Sequence, residues 1–254
     1  MNKRFETKFC ELMKSKFSVT FNSGTSTLHA ALFAAGVEYG DEIIQPPLTV
    51  ISNLQVTLAM NAIPVFADVN EETFNIDPKD IEKKITKKTK AILVVPLYGL
   101  PCEYDEINEI AKKHNLVVIN DAAETIGATY KGKTVSECSD ISSFSFENSK
   151  HITTGDGGML TTNNPKFAKE FRAFASLGSS SVRSGDGRIR DAKNPRAKDK
   201  FQDPNYSRCD SYGLNYRMPE VAAAIGLAQL ERLDFFINLR KKIGAEYMQV
   251  CDNY

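Results

Sequence analysis

Three short segments of the chain carry residues whose types and spacing can do chemistry. Asn22-Ser-Gly-Thr-Ser26 stands directly before a predicted helix. Ser23 or Asn22 can cap that helix, Gly24 lets the backbone come close to a ligand, and the unpaired N–H groups of a first helical turn attract an anion. Asp121-Ala-Ala-Glu124 follows the β-branched run Leu116-Val-Val-Ile-Asn120. Asp121 therefore falls at the carboxyl end of a strand, where open α/β sheets bind their ligands. Ser143-Phe-Ser-Phe-Glu-Asn-Ser-Lys150 brings a strand to a lysine, and the glycine-rich Thr154-Gly-Asp-Gly-Gly158 behind it signals close backbone approach. Taken singly, each segment has an ordinary structural reading: a helix start, a capping aspartate, a solvated lysine. Neither GxxxxGK[ST] nor a GxGxxG after the first strand occurs, which excludes a P-loop and weakens a dinucleotide site.

The elements that must position these residues alternate in type. Short apolar runs at 41–45, 63–67, 91–95, 116–120, 141–146 and 159–162 read as strands, several of them β-branched and covered on both faces. Helical patterns lie at 5–17, 25–35, 50–60, 80–85 and 104–114. This alternation predicts an α/β protein, a three-layer α/β/α sandwich around a mainly parallel mixed sheet. From Leu177 to Asp210 the sequence turns polar and aperiodic, a long loop of the kind that is functional or disordered in compact folds. A helix follows, with Pro219 suited to its first turn and Glu220 to its positive end. Val221, Ile225, Leu230, Leu233 and Ile237 supply its apolar face.

Composition narrows the function classes. At 254 residues the chain is one large domain or two small ones. Lys+Arg and Asp+Glu both number 32, so the net charge is zero, which argues against a strongly basic nucleic-acid binder but leaves room for a local basic patch. Hydrophobic residues at 42% and charged residues at 25% are those of a globular protein, not a disordered one. No apolar run reaches the 18 or so residues of a membrane span, and MNKRFETKFC has no apolar core of a signal peptide. Five scattered cysteines, with no CxxC pair, predict free thiols in a reducing cytoplasm and no metal site.

Together, an anion-binding helix start, an aspartate and a lysine 29 residues after it on one α/β sheet match the needs of pyridoxal 5′-phosphate (PLP) chemistry. The chain resembles the DegT/DnrJ sugar aminotransferases, the nucleotide-sugar branch of the fold-type-I PLP enzymes. The resemblance covers nearly the whole chain through NSGTSTLHAAL, GDEIIQPPLT, PVFADVN, NDAAETIGATYKGK, SFSFENSKHITTGDGG and GLNYRMPEVAAAIGLAQLERLD. It implies that Lys150 is the Schiff-base lysine and later the general base and acid, for which its amine must be neutral. It implies that Asp121 pairs with the pyridinium nitrogen. Gly24, Thr25 and Ser145 match the phosphate cradle. Glu124 matches a position that usually carries Gln or His against the cofactor ring hydroxyl, and here a carboxylate stands there. Val50 stands where an aromatic often stacks on the ring. Asn215 and Arg217, in GLNYRM, match residues that reach the cofactor phosphate or substrate of a neighbouring subunit, with capping before Pro219 as the alternative. His29, His114 and His151 read as structural or surface residues.

The same resemblance implies amino transfer from L-glutamate to the keto group of a nucleotide-linked sugar, for amino-sugar or surface-polysaccharide synthesis, by a cytoplasmic homodimer with shared active sites. Residues 1–235 are expected to form the PLP-binding large domain with a shortened N-terminus, and 236–254 the start of a connection to a C-terminal small domain that is missing. Two alternatives follow. One is a truncated, non-catalytic chain acting as an oligomerisation or regulatory partner. The other is a PLP-dependent sugar dehydratase, against which Lys150 argues because those relatives carry histidine at that position.

Overall fold

The computed structural model describes residues 1–179, 209 and 211–252. Of the long loop predicted over 177–210, residues 180–208 and 210 therefore lie outside the described residues. In chain order the elements are α1 (Asn2–Met13), β1 (Phe17–Phe21), α2 (Gly24–Ala34), β2 (Glu42–Gln45), α3 (Ser52–Ala59), β3 (Ile63–Phe66), α4 (Pro78–Lys84), β4 (Thr89–Val94) and α5 (Tyr104–His114). Then come β5 (Val117–Asp121), the small hairpin β6 (Thr129–Tyr130) and β7 (Lys133–Thr134), β8 (Ile141–Ser145), β9 (Gly158–Thr162), α6 (Pro165–Ala175), α7 (Glu220–Leu230) and α8 (Leu233–Cys251).

Seven strands form one sheet in the order β1-β9-β8-β5-β4-β2-β3. β9 runs antiparallel to both of its neighbours, and the pairs β8/β5, β5/β4, β4/β2 and β2/β3 are parallel. All strands except β9 thus open their carboxyl ends on the same edge. Strand periodicity divides the core in two. Ile44, Ile92, Val94, Val118, Phe144 and Met159 face α1, α4, α5 and α7, whereas Ile43, Ala91, Leu93, Ile119, Ile141 and Leu160 face α2, α3 and α6. Successive residues point to opposite faces, so one buried run feeds both layers. The predicted three-layer sandwich is the architecture found.

Three details differ from the sequence reading. α1 ends at Met13, because Lys14 takes a left-handed conformation (φ 51°, ψ 37°) and its N–H caps Cys10, which frees Phe17–Phe21 to pair as an unpredicted strand against β9. α3 begins at Ser52 rather than Val50. The helix after Pro219 is two helices, and Val221 and Ile225 do not form its buried face: they are 73% and 44% exposed. Small residues bury instead. Gly226 sits so close to Phe5 that a methyl group there would lie 2.6 Å from the ring. Beyond Leu233, α8 is exposed along most of its length, with Ile237 packed against Gly127. Among the described residues no helix is long and apolar enough to cross a membrane.

Candidate active site

The three segments singled out in the sequence converge on the carboxyl edge of the sheet. β1 leads to Gly24, β5 ends at Asp121, and β8 ends at Ser145 and leads to Lys150. Asp121 lies opposite Ser143 in the β5/β8 register, and the Ser143 hydroxyl meets Thr27 Oγ1 of α2 at 2.6 Å. Gly24 packs on Ser145 so tightly that a Cβ on it would lie 2.8 Å from Ser145 Cβ. Gly24→Ala should therefore push α2 off the end of β8. The expected destabilisation is about 1–3 kcal/mol, to be checked by urea titration.

The start of α2 is capped in a way that leaves room for an anion. Ser23 Oγ accepts the Ser26 N–H at 3.1 Å and Ser26 Oγ accepts the Ser23 N–H at 3.1 Å, a reciprocal box. Thr27 N–H donates to the Ser23 carbonyl at 3.2 Å. The N–H groups of Gly24 and Thr25 find no acceptor among the described residues. Two free donors at the positive end of an eleven-residue helix, with the Ser145 hydroxyl alongside, suit a phosphate.

Asp121 is 4% exposed. Burial pushes its carboxyl above the ordinary aspartate range, while the Asn53 amide, the Ala123 N–H and the charge of Lys150 pull it back. Asn53 Nδ2 donates to Oδ2 at 2.9 Å and Ala123 N–H to Oδ1 at 3.3 Å. Above the ordinary value and below the raised one, the folded chain holds more protons than the unfolded chain. The Asp121 contribution to stability therefore falls as pH rises through that window. Asp121→Asn should flatten the stability curve from about pH 4 upward, as read from urea midpoints at a series of pH values.

Lys150 rides on a loop closed at its base. Phe146 N–H donates to the Gly157 carbonyl at 2.8 Å, and the Phe146 carbonyl accepts Thr154 N–H at 2.9 Å and Thr153 Oγ1 at 3.1 Å. The Phe146 ring is locked against Phe5 and Phe9 at centroid distances of 5.1 and 5.5 Å. Within the loop the Glu147 carboxylate accepts the Ser149 hydroxyl at 2.5 Å and the Ser149 N–H at 2.9 Å, and these serine hydrogen bonds hold the carboxyl below its usual range. The Lys150 side chain is 23% exposed, and its Nζ lies 3.9 Å from Glu124 Oε1.

Glu124 does two things at once. Its other oxygen accepts the Tyr98 N–H at 2.8 Å, in a turn where Tyr98 is left-handed (φ 54°, ψ 20°) and Gly99 has φ 86°. The carboxylate thus ties the lysine to the turn after β4, whose Tyr98 side chain is 84% exposed.

Asn215 and Arg217 are exposed on the segment before α7. Asn215 is held through an isolated backbone bridge to Ser176, and α7 is capped by neither residue, its cap position being Pro219. Between them, the Tyr216 carbonyl accepts Asn22 N–H at 2.9 Å, which places the segment beside the start of α2. His29 meets the Tyr216 hydroxyl at 3.2 Å, and burial lowers its pKa, as it does for His151. Val50 is 57% exposed at the mouth of the edge. A groove of about 690 Å³ runs between α1, α7 and α8, but none of the converging residues lines it.

The sequence reading passed over two residues of this group, Asn53 and Tyr98. Asn53 left a trace: with Val56 and Thr57 it makes the i, i+3, i+4 stripe of α3 that is buried, and an amide on such a stripe needs a polar partner.

The sequence matches the DegT/DnrJ/EryC1/StrS aminotransferase family over residues 1–253. It is 42% identical over 244 residues to the GDP-perosamine synthase of Escherichia coli O157:H7, covering 96% of this chain and 61% of that protein. The chain spans about three fifths of the length of the curated relatives it matches. Among solved structures, DesV of S. venezuelae in complex with a ketimine intermediate superposes with a TM-score of 0.84 at 31% identity, over 98% of this chain and 61% of that one. NtdA of Bacillus subtilis with bound cofactor PMP superposes with a TM-score of 0.78 at 29% identity, over 92% of this chain and 48% of that one. A carboxyl-edge cluster of this composition and a match along nearly the entire sequence agree, and the chain belongs to the DegT/DnrJ/EryC1/StrS aminotransferase family.

Proposed function

We propose that the chain binds pyridoxal 5′-phosphate and is the cofactor-binding part of an aminotransferase that moves an amino group from L-glutamate to the keto group of a nucleotide-linked sugar. The observation that carries this reading is the juxtaposition of a half-buried lysine, a buried carboxylate and an open helix start on one sheet edge. These are the three chemically distinct anchors the cofactor needs: an amine for its aldehyde, an anion for its ring nitrogen, and donors for its phosphate. When bound, the cofactor supplies an electron sink for proton removal from the amino donor. Resemblance to a GDP-perosamine synthase supports a nucleotide-sugar substrate, and the PMP-bound relative supports the cofactor.

In this reading Gly24 and Thr25 bind the phosphate through their N–H groups and Ser145 through its hydroxyl. Asp121 keeps a proton on the ring nitrogen. Lys150 would anchor the cofactor by its aldehyde and, as a free amine, would carry the proton between the donor Cα and the cofactor's aldehyde carbon. Glu124 orients that amine. Asn215 and Arg217, exposed on their own chain, serve the site of a second copy in a homodimer. Residues 1–235 act as the cofactor domain and 236–254 lead away from it. Five scattered cysteines with no CxxC pair fit a reducing cytoplasm.

The test is an absorbance spectrum of the purified chain with PLP, before and after L-glutamate. A visible band that converts to the pyridoxamine form supports cofactor, lysine and donor together. Absence of any band means that these residues do not hold PLP in a chain of this length, and the reading falls for it.

A further inference from the structure

We propose that Asn53 is a positioning residue whose side-chain amide, anchored by Thr49, holds the buried Asp121 as a carboxylate before any ligand arrives. The role this gives Asp121, pairing with a protonated ring nitrogen, rests on the cofactor reading above; the arrangement itself does not.

The argument is one of donors and acceptors. An amide nitrogen only donates, so the Asp121 oxygen 2.9 Å from Asn53 Nδ2 must accept. The other carboxyl oxygen faces the Ala123 N–H at 3.3 Å and must accept as well. Both bonds are stronger to an anionic oxygen than to that of a neutral acid. The pair of donors therefore favours the ionised form and offsets part of what burial does for the neutral acid. Of the two, the backbone N–H is longer and belongs to any residue at 123. The short bond is the asparagine's.

The amide is itself fixed. Its second N–H goes to Thr49 Oγ1 at 2.6 Å, and its backbone N–H donates to the Val50 carbonyl at 3.2 Å. Asn53 Oδ1, by contrast, is buried with no partner among the described residues. Turning the amide over would set that oxygen against the Asp121 carboxylate. The orientation that leaves Oδ1 unpaired is the one the carboxylate requires, which marks the amide as placed for Asp121 rather than for its own satisfaction. Two other charges bear on Asp121: Lys150 favours its ionised form and Glu124 opposes it. Both are only partly buried, and Asn53 is the wholly buried partner.

The test uses the ligand-free chain with carboxyl-¹³C aspartate and side-chain-¹⁵N asparagine, Asp121 being assigned by the signal lost in Asp121→Asn. In the wild-type chain the Asn53 amide signals should titrate with the same midpoint as the Asp121 carboxyl carbon. An Asn53 signal flat across that midpoint overturns the proposal without any variant of Asn53. Asn53→Leu, near in shape and unable to donate, should raise the midpoint by about one unit or more, a tenfold change in proton affinity. Thr49→Val should move it much less, and an unmoved midpoint in Asn53→Leu overturns the proposal. PLP affinity measured on the same samples separates the two readings. A chain that shows the coupled titration but binds no PLP keeps the Asn53 assignment and loses the proposed cofactor.

Discussion

Lys150→Ala should abolish the visible absorbance of the chain with PLP and lower amino transfer from L-glutamate by on the order of 10³-fold or more, within the range lost when a general base is removed and compounded here by loss of the covalent anchor. The fold should survive, because the Lys150 side chain is 23% exposed and its ion pair with Glu124, at 3.9 Å, is long. The loop around it is closed by the backbone of Phe146, Thr154 and Gly157, none of which the substitution touches. An unchanged thermal midpoint together with a lost band would place the effect in the chemistry. A variant that keeps the wild-type band would remove Lys150 from the proposed mechanism. Glu124→Gln makes the companion measurement. The amide can still accept the Tyr98 N–H but no longer faces the lysine as an anion, so stability should hold while the pH dependence of the band shifts.

The largest loss of stability is expected far from that edge. Arg172 of α6 and Glu6 of α1 form a buried pair, Nη2 to Oε2 at 2.7 Å and Nη1 to Oε1 at 3.3 Å. Glu6 Oε1 also accepts the Thr20 N–H and hydroxyl, each at 3.0 Å, and Arg172 Nη2 reaches the Ser18 carbonyl at 3.2 Å. The pair thus bolts two helices to the outer strand β1, which also leads into the start of α2. Arg172→Ala leaves a buried carboxylate unpaired, and the expected loss is about 3–5 kcal/mol, or on the order of 10 °C in melting temperature for a chain of this size. Replacing Glu6 and Arg172 together should cost less than the sum of the single replacements, since neither charge is then left alone. Differential scanning calorimetry of the four chains checks both statements. An Arg172→Ala midpoint within about 2 °C of wild type would show that water or a rearranged neighbour satisfies Glu6.

Much of this protein was legible in the amino-acid order, for a local reason. β-branched runs between helical periods specify a buried parallel sheet, and a ligand edge follows from strand direction alone. Lys150, Asp121, Gly24 and Ser145 stand at strand ends and helix starts that can be read within ten residues of each. The extent of the helix after Pro219 was not legible. Apolar periodicity shows that a face exists but not what covers it, and Val221 and Ile225 face outward while Ala223 and Gly226 bury against α1. β1 was hidden because Phe17–Phe21 continues an apolar pattern that reads equally as the end of a helix; only its pairing with β9, some 140 residues away, decides it.

What the sequence by itself determined is the set of reactive groups and the class of scaffold that carries them, since both depend on residue type and short-range order. What only the tertiary structure decided is how those groups are held. Asn53 reaches Asp121 across 68 residues, Glu124 reaches Tyr98 across 26, and Arg172 reaches Glu6 across 166. A hydrogen bond between side chains so far apart depends on which strands become neighbours and in what register. No local pattern records that, because it is settled by the packing of the whole sheet.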